Sequence, residues 1–195
     1  MPDKSAFAGS RESPPEPWRS FLKKLDQLVK ERIDLHCVGG FAATLQFGLS
    51  RTTSDIDILP AIPREQLAEL DRLGGQGSDL RQTFNVYLHP VTIATYPEDY
   101  ESRLERMWPN FKLKHLRLFS LEAHDLALTK LEGNREKDRQ DIEGLARAGK
   151  LDPTILRDRY VKELRPNLLS HLERHDLTMD LWVESIQEIL ARRPD

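Results

Sequence analysis

Asp55 and Asp57, separated by Ile56 and followed by Ile58, are the residues in this chain best suited to chemistry. On a strand, spacing of two puts both carboxylates on one face and both isoleucines on the other. Adjacent carboxylates repel unless a cation sits between them. Hard oxygen donors suit magnesium, which is usually held by one or two carboxylates plus substrate phosphates. The plain alternative is a strand end with two solvated acids. Upstream, Gly39-Gly40 ends the run Asp34-Leu35-His36-Cys37-Val38 and opens a helical stretch, Phe41 to Phe47. Glycine leaves the backbone amides open to an anion, and a helix start adds partial positive charge. A tight turn alone would also use these glycines. Together, the glycine pair, the turn Arg51-Thr52-Thr53-Ser54 and the acid-bearing strand form one candidate site for a triphosphate and its metal.

Those residues need a frame. Residues 1–17 are proline-bearing and polar and read as a poorly ordered arm. Phe21, Leu22, Leu25, Leu28 and Val29 then recur at helical spacing from Trp18. Strands are predicted over Asp34–Val38, Asp55–Leu59, Phe84–Ile93 and Leu113–Phe119, with Pro60 and Pro63 closing the second and Pro90 interrupting the third. Residues 64–73 and Pro97–Met107 read as helical, Gly74–Ser78 as a loop, and the chain from Ser120 as helical in several pieces. This order predicts an α+β fold: a small mixed β-sheet flanked by helices. The expected domains are the arm, a core over 18–119, and a helical C-terminal region over 120–195 packed on that core.

Composition excludes some classes. The chain has 195 residues, 38% hydrophobic and 31% charged, enough for a real core under a solvated surface. No apolar run approaches the ~18 residues that would span a bilayer, and nothing at the N-terminus resembles a secretory signal. No membrane partner is expected, and the predicted location is cytoplasmic. The single cysteine, Cys37, allows no internal disulfide and no cysteine-based zinc site. A net charge of −3 argues against a protein that coats nucleic acid. A local basic patch exists, with Arg103, Arg106, Lys112, Lys114 and Arg117 around Glu105. It is either a solvated surface or a phosphate-tracking face.

The segment Val38-Gly39-Gly40 … Arg51-Thr52-Thr53-Ser54-Asp55-Ile56-Asp57-Ile58 resembles the signature of the polymerase-β-like nucleotidyltransferase superfamily, a glycine pair followed by D-x-D or D-x-E. A second block, Asp125-Leu126-Ala127-Leu128-Thr129-Lys130-Leu131 … Arg135-Glu136-Lys137-Asp138-Arg139-Gln140-Asp141, resembles the K…KD..D helix of the bacterial branch containing the AbiEii abortive-infection toxins. On one helix, Lys130, Lys137 and Asp141 would share a stripe with Asp138 beside it; an ordinary salt-bridged surface helix has the same pattern. The resemblance implies that Lys130 contacts nucleotide phosphate and Asp138 supports catalysis. His175-Asp176 … Leu181-Trp182 has no evident mechanism.

These readings converge on nucleotidyl transfer. Asp55 and Asp57 are expected to hold Mg2+, with Mn2+ as the alternative. Gly39, Gly40, Arg51, Thr53 and Ser54 are expected around the nucleoside triphosphate, with RNA (tRNA among them), a protein or a small molecule as acceptor. A cognate antitoxin or toxin is the expected partner in a toxin–antitoxin or phage-defence setting. Many superfamily members carry a third carboxylate on a later strand, whereas Phe84–His89 offers Asn85, Tyr87 and His89. Of these, His89 is the candidate general base. The gap keeps open a catalytically weak binding partner, and the basic patch keeps open a plain RNA-binding module.

Overall fold

The computed structural model describes residues 12–91 and 95–192. The chain divides into two units, Met1–Thr92 with Leu104–Ser120, and Ile93–Arg103 with Leu121–Asp195. The second unit therefore takes up a segment, 93–103, that the sequence order assigns to the core. Positions 1–11 of the predicted arm, and 92–94 at the end of a predicted strand, lie outside the described residues. Glu12 to Pro17 lead into the first helix, and the carbonyl of buried Pro14 accepts a hydrogen bond from Arg19 Nε at 3.0 Å.

In the first unit, helix α1 (Trp18–Leu28) forms because Trp18, Phe21, Leu22 and Leu25 recur every three or four residues, and all four are buried. The strands are β1 (Ile33–Val38), β2 (Asp55–Ile58), β3 (Tyr87–Pro90), β4 (Glu105–Arg106) and β5 (Leu116–Ser120). They form one mixed sheet in the order β3-β2-β1-β5-β4. β1 runs antiparallel to β2 and parallel to β5; β2 and β3 are parallel, and β4 and β5 antiparallel.

Alternation gives the sheet two unlike faces. Ile33, Leu35 and Cys37, Ile56 and Ile58, Leu88, Leu116 and Leu118 join α1, Leu70 of α3 (Arg64–Gly74) and Leu80 of α4 (Asp79–Phe84) in one core. The opposite face carries Asp34 and His36, Asp55 and Asp57, Tyr87 and His89, Arg117 and Phe119, none of them fully buried. Helix α2 (Gly39–Leu45) is anchored by Phe41, whose ring meets Trp18 edge-on at 5.0 Å and Trp108 at 6.1 Å. Asp26 ties α1 to β5: its carboxylate accepts from the backbone amides of Lys114 (2.8 Å), His115 (2.7 Å) and Leu116 (2.8 Å).

Two predicted elements differ. Residues through Phe84 are helical, because Ser78 caps α4 by accepting from Arg81 N at 3.1 Å, and Asn85 ends it at φ 58. The strand is thereby cut to Tyr87–Pro90. Pro97–Met107 is not one helix but a 3-10 turn at Tyr100–Arg103 followed by β4. There, pairing with β5 overrides local preference.

The second unit is helical, with α5 (Ala123–Leu128), α6 (Glu136–Arg147), α7 (Pro153–Arg159), a π turn at Tyr160–Leu164, a 3-10 turn at Arg165–Asn167, and α8 (Leu172–Ala191). Its interior holds charge. Fully buried Asp125 accepts from Arg103 Nε at 2.8 Å, Arg103 Nη2 at 3.1 Å and Arg159 Nη1 at 2.9 Å. Beside it, His124 Nε2 accepts from Asp152 N at 2.8 Å, which leaves Nδ1 to face Glu122 Oε1 at 2.7 Å. Asp176 on α8 accepts from Tyr160 (2.6 Å) and from Arg165 Nε (2.7 Å). Among the described residues, no helix is long and apolar enough to cross a membrane.

Asp26 and the half-buried Glu122 each give a measurable outcome. Asp26→Ala strands three amides and should cost about 3 kcal/mol or more in urea unfolding, with Asp26→Asn losing less because its amide oxygen still accepts. Burial raises the Glu122 pKa, but the His124 and Arg159 contacts outweigh it and hold the carboxyl at about 2. A depressed folded pKa gives stability that is present above the unfolded value of about 4.3 and lost as pH falls toward about 2. Thermal melts of Glu122→Gln should therefore vary less with pH across that window than those of the unaltered protein.

Candidate functional site

β2 lies between β1 and β3, and each neighbour delivers a partner to its acids. Antiparallel pairing sets Val38 opposite Asp57, so the chain turns into α2 beside that carboxylate. Gly39 makes the turn at φ +64, and a Cβ there would lie 2.0 Å from Asp57 Oδ2. Glycine is thus required twice, once by the left-handed backbone and once by the approach of the carboxylate. A Cβ on Gly40 would lie 2.9 Å from Arg51 Cζ and 3.0 Å from its Nη2, so the guanidinium covers the second glycine.

The turn between α2 and β2 is held by its own hydroxyls. Thr44 Oγ1 donates to the Arg51 carbonyl at 3.4 Å. Thr53 Oγ1 donates to Asp55 Oδ1 at 2.9 Å, with the Asp55 carbonyl at 3.1 Å, fixing the rotamer of the first acid. The carbonyl of Ser54 accepts from Tyr87 N at 3.1 Å and starts the β2–β3 ladder.

That ladder is parallel and in register, Asp55 with Tyr87 and Asp57 with His89. In-register neighbours point to the same face, so the histidine stands beside the acids. Its Nδ1 is 2.8 Å from Asp57 Oδ1, with the His89 side chain 56% exposed and that of Asp57 21%. One donor atom each from Asp55, Asp57 and His89 lie within 4.8 Å of one another. At that separation two carboxylates repel by about 1–3 kcal/mol for effective dielectrics of about 80 to 20. A divalent cation would relieve this, and two carboxylates with one imidazole form a chemically suitable donor set. Cys37 is not part of it. Burial, and then the negative charge of Asp57, push its thiol well up, and the side chain belongs to the core.

The second motif block lies in the other unit and is two helices rather than one. Thr129 to Arg135 forms a turn through Gly133 and Asn134, the latter at φ 40, so the shared helical stripe of Lys130, Lys137 and Asp141 does not exist. Lys130 nevertheless reaches Asp141, Nζ to Oδ2 at 2.9 Å, with both side chains 6% exposed. Buried Asp138 caps α6 by accepting from Arg135 N at 3.0 Å. The basic patch is likewise divided. Arg103 pairs with Asp125 and Glu163 in the second unit, while Arg117 pairs with Asp34 and Arg106 lies over Phe119 in the first.

Residues 20–190 match the family described as nucleotidyltransferase of unknown function (DUF6036). The chain belongs to that family. No curated protein and no solved structure gives a match. The glycine pair, the Arg51–Ser54 turn and the D-x-D strand of this nucleotidyltransferase family member thus form one continuous surface in the first unit. Sequence reasoning missed the pairing of His89 with Asp57, since only the β2–β3 register creates it.

The two glycines with positive φ around α2 separate strain from clash. Gly39→Ala should destabilise by at least about 2 kcal/mol in urea unfolding, combining left-handed strain with overlap on Asp57. Gly48→Ala, at φ +72 with nothing within 4 Å of the new methyl, should cost about 1 kcal/mol.

Proposed function

We propose that the protein is a metal-dependent nucleotidyltransferase that moves a nucleoside monophosphate from a nucleoside triphosphate to an acceptor hydroxyl. The single observation that carries this reading is the set of Asp55 and Asp57 on one strand face with Gly39 directly against Asp57, within a chain of a nucleotidyltransferase family. Asp55 and Asp57 would hold the cation, taken as Mg2+ with Mn2+ as the alternative. When bound, the cation would neutralise phosphate charge and stabilise charge developing toward pyrophosphate.

The chain's own groups do the rest by positioning. Gly39 and Gly40 let the Asp57 carboxylate and the Arg51 guanidinium close onto the start of α2, where Arg51 would supply positive charge to the incoming phosphates. Thr53 holds Asp55 in place, while Ser54 stands exposed at the entry to β2. The acceptor oxygen attacks the α-phosphorus as its proton passes to solvent water, and the bond to the pyrophosphate oxygen breaks to release pyrophosphate. The gain in rate comes mainly from alignment and fixed charge.

Lys130 and Asp138 enter this proposal as supports of the second unit. Drawing Lys130 to a phosphate would break a buried ion pair, at about 3–5 kcal/mol. The likeness of their block to the AbiEii branch is what supports a toxin–antitoxin or phage-defence setting, with a cognate partner and an RNA or protein acceptor. A histidine where many superfamily members have a third carboxylate favours the second reading, a catalytically weak nucleotide-binding partner.

Calorimetry with a nucleoside triphosphate and Mg2+ tests the site. Asp55→Asn and Asp57→Asn should each weaken metal-dependent binding about tenfold or more, and unchanged affinity overturns the assignment. Incubation with α-labelled triphosphates and a mixed tRNA and protein pool separates the two readings. Label transfer that needs both aspartates supports the enzyme; metal-dependent binding without transfer supports the partner.

A further inference from the structure

Building on the proposed Asp55–Asp57 metal pair, we propose that His89 is a third metal ligand and that its nitrogen biases the site toward manganese over magnesium. Adjacent ligands on an octahedral ion at about 2.1 Å stand about 3 Å apart. His89 Nδ1 and Asp57 Oδ1 are 2.8 Å apart, and Asp55 brings a third donor within 4.8 Å. The three donors come from paired strands rather than from a loop. The β2–β3 register fixes the imidazole beside Asp57, and Thr53 fixes Asp55.

Stability alone gives little reason for this arrangement. A largely exposed His–Asp pair is worth at most about 1 kcal/mol, and His89 lies outside the core cluster. Donor chemistry gives a better one. Magnesium holds oxygen ligands and parts reluctantly with its waters, whereas later divalent ions accept imidazole nitrogen readily and follow the order in which manganese is the weakest of the transition series. One nitrogen among oxygens therefore suits manganese, which keeps affinity for carboxylate and phosphate oxygen. Ligation through Nδ1 needs the tautomer with its proton on Nε2, and the exposed ring leaves that proton to water.

Pulsed electron paramagnetic resonance on the full chain loaded with Mn2+ reads ligation directly, since a coordinated imidazole nitrogen modulates the echo. The unaltered protein should show this modulation and His89→Ala should lose it. Titration should give His89→Ala a Mn2+ affinity weaker by about tenfold or more, with Mg2+ affinity changed far less. Bound Mn2+ without nitrogen modulation overturns the ligand role, as does an equal loss of both metals in His89→Ala, which would make His89 a positioning residue. Mn2+ binding that persists unchanged in Asp55→Asn and Asp57→Asn overturns the underlying metal pair instead.

Discussion

The contact of Asp57 with Gly39 is the constraint around which the first unit is arranged. A carboxylate oxygen occupies the space where any other residue would carry its Cβ, so the strand end, the turn and the start of α2 must move together. Val38 opposite Asp57 fixes where the turn begins, and Phe41 between Trp18 and Trp108 fixes where α2 goes. On the other side, His89 stands in register with the same aspartate. A one-residue slip of β2 would flip Asp55 and Asp57 into the core and Ile56 and Ile58 into water. Burial of Ile56 and Ile58 therefore defends the site as well as the fold.

The sheet shows how one element serves two ends. Its inner face is closed by α1, α3 and α4, and supplies the apolar burial that stabilises the unit. Its outer face is free of that duty and carries the acids, the histidine and the Asp34–Arg117 pair. Strands suit such a division because alternate residues answer to different environments.

Among the described residues, the buried charges of the second unit are engaged within it. Arg103 and Arg159 surround Asp125, Lys130 holds Asp141, and Asp138 caps α6. Buried charges are tolerated only when paired and hydrogen-bonded, and these satisfy that condition. Arg103 and Arg117, fourteen positions apart in one basic run, face acids in different units.

Local chemistry is legible in the sequence: the same-face placement of Asp55 and Asp57, the amphipathic α1, and the mixed sheet with helices. Each follows from periodicity, which is a property of neighbouring residues. Some local signals were present but masked by composition, as with Ser78 and Asn85 bracketing α4. The rest comes from long-range contacts, among them the approach of Asp57 that demands glycine at 39. The pairing of His89 with Asp57 depends on strand register across thirty-two residues, and the Lys130–Asp141 pair survives a break in the helix expected to carry it. The ion pairs of Arg103 and Arg117 depend on which acids folding brings to each arginine. Long-range pairing leaves no period in a sequence, because the residues that choose one another are far apart along the chain.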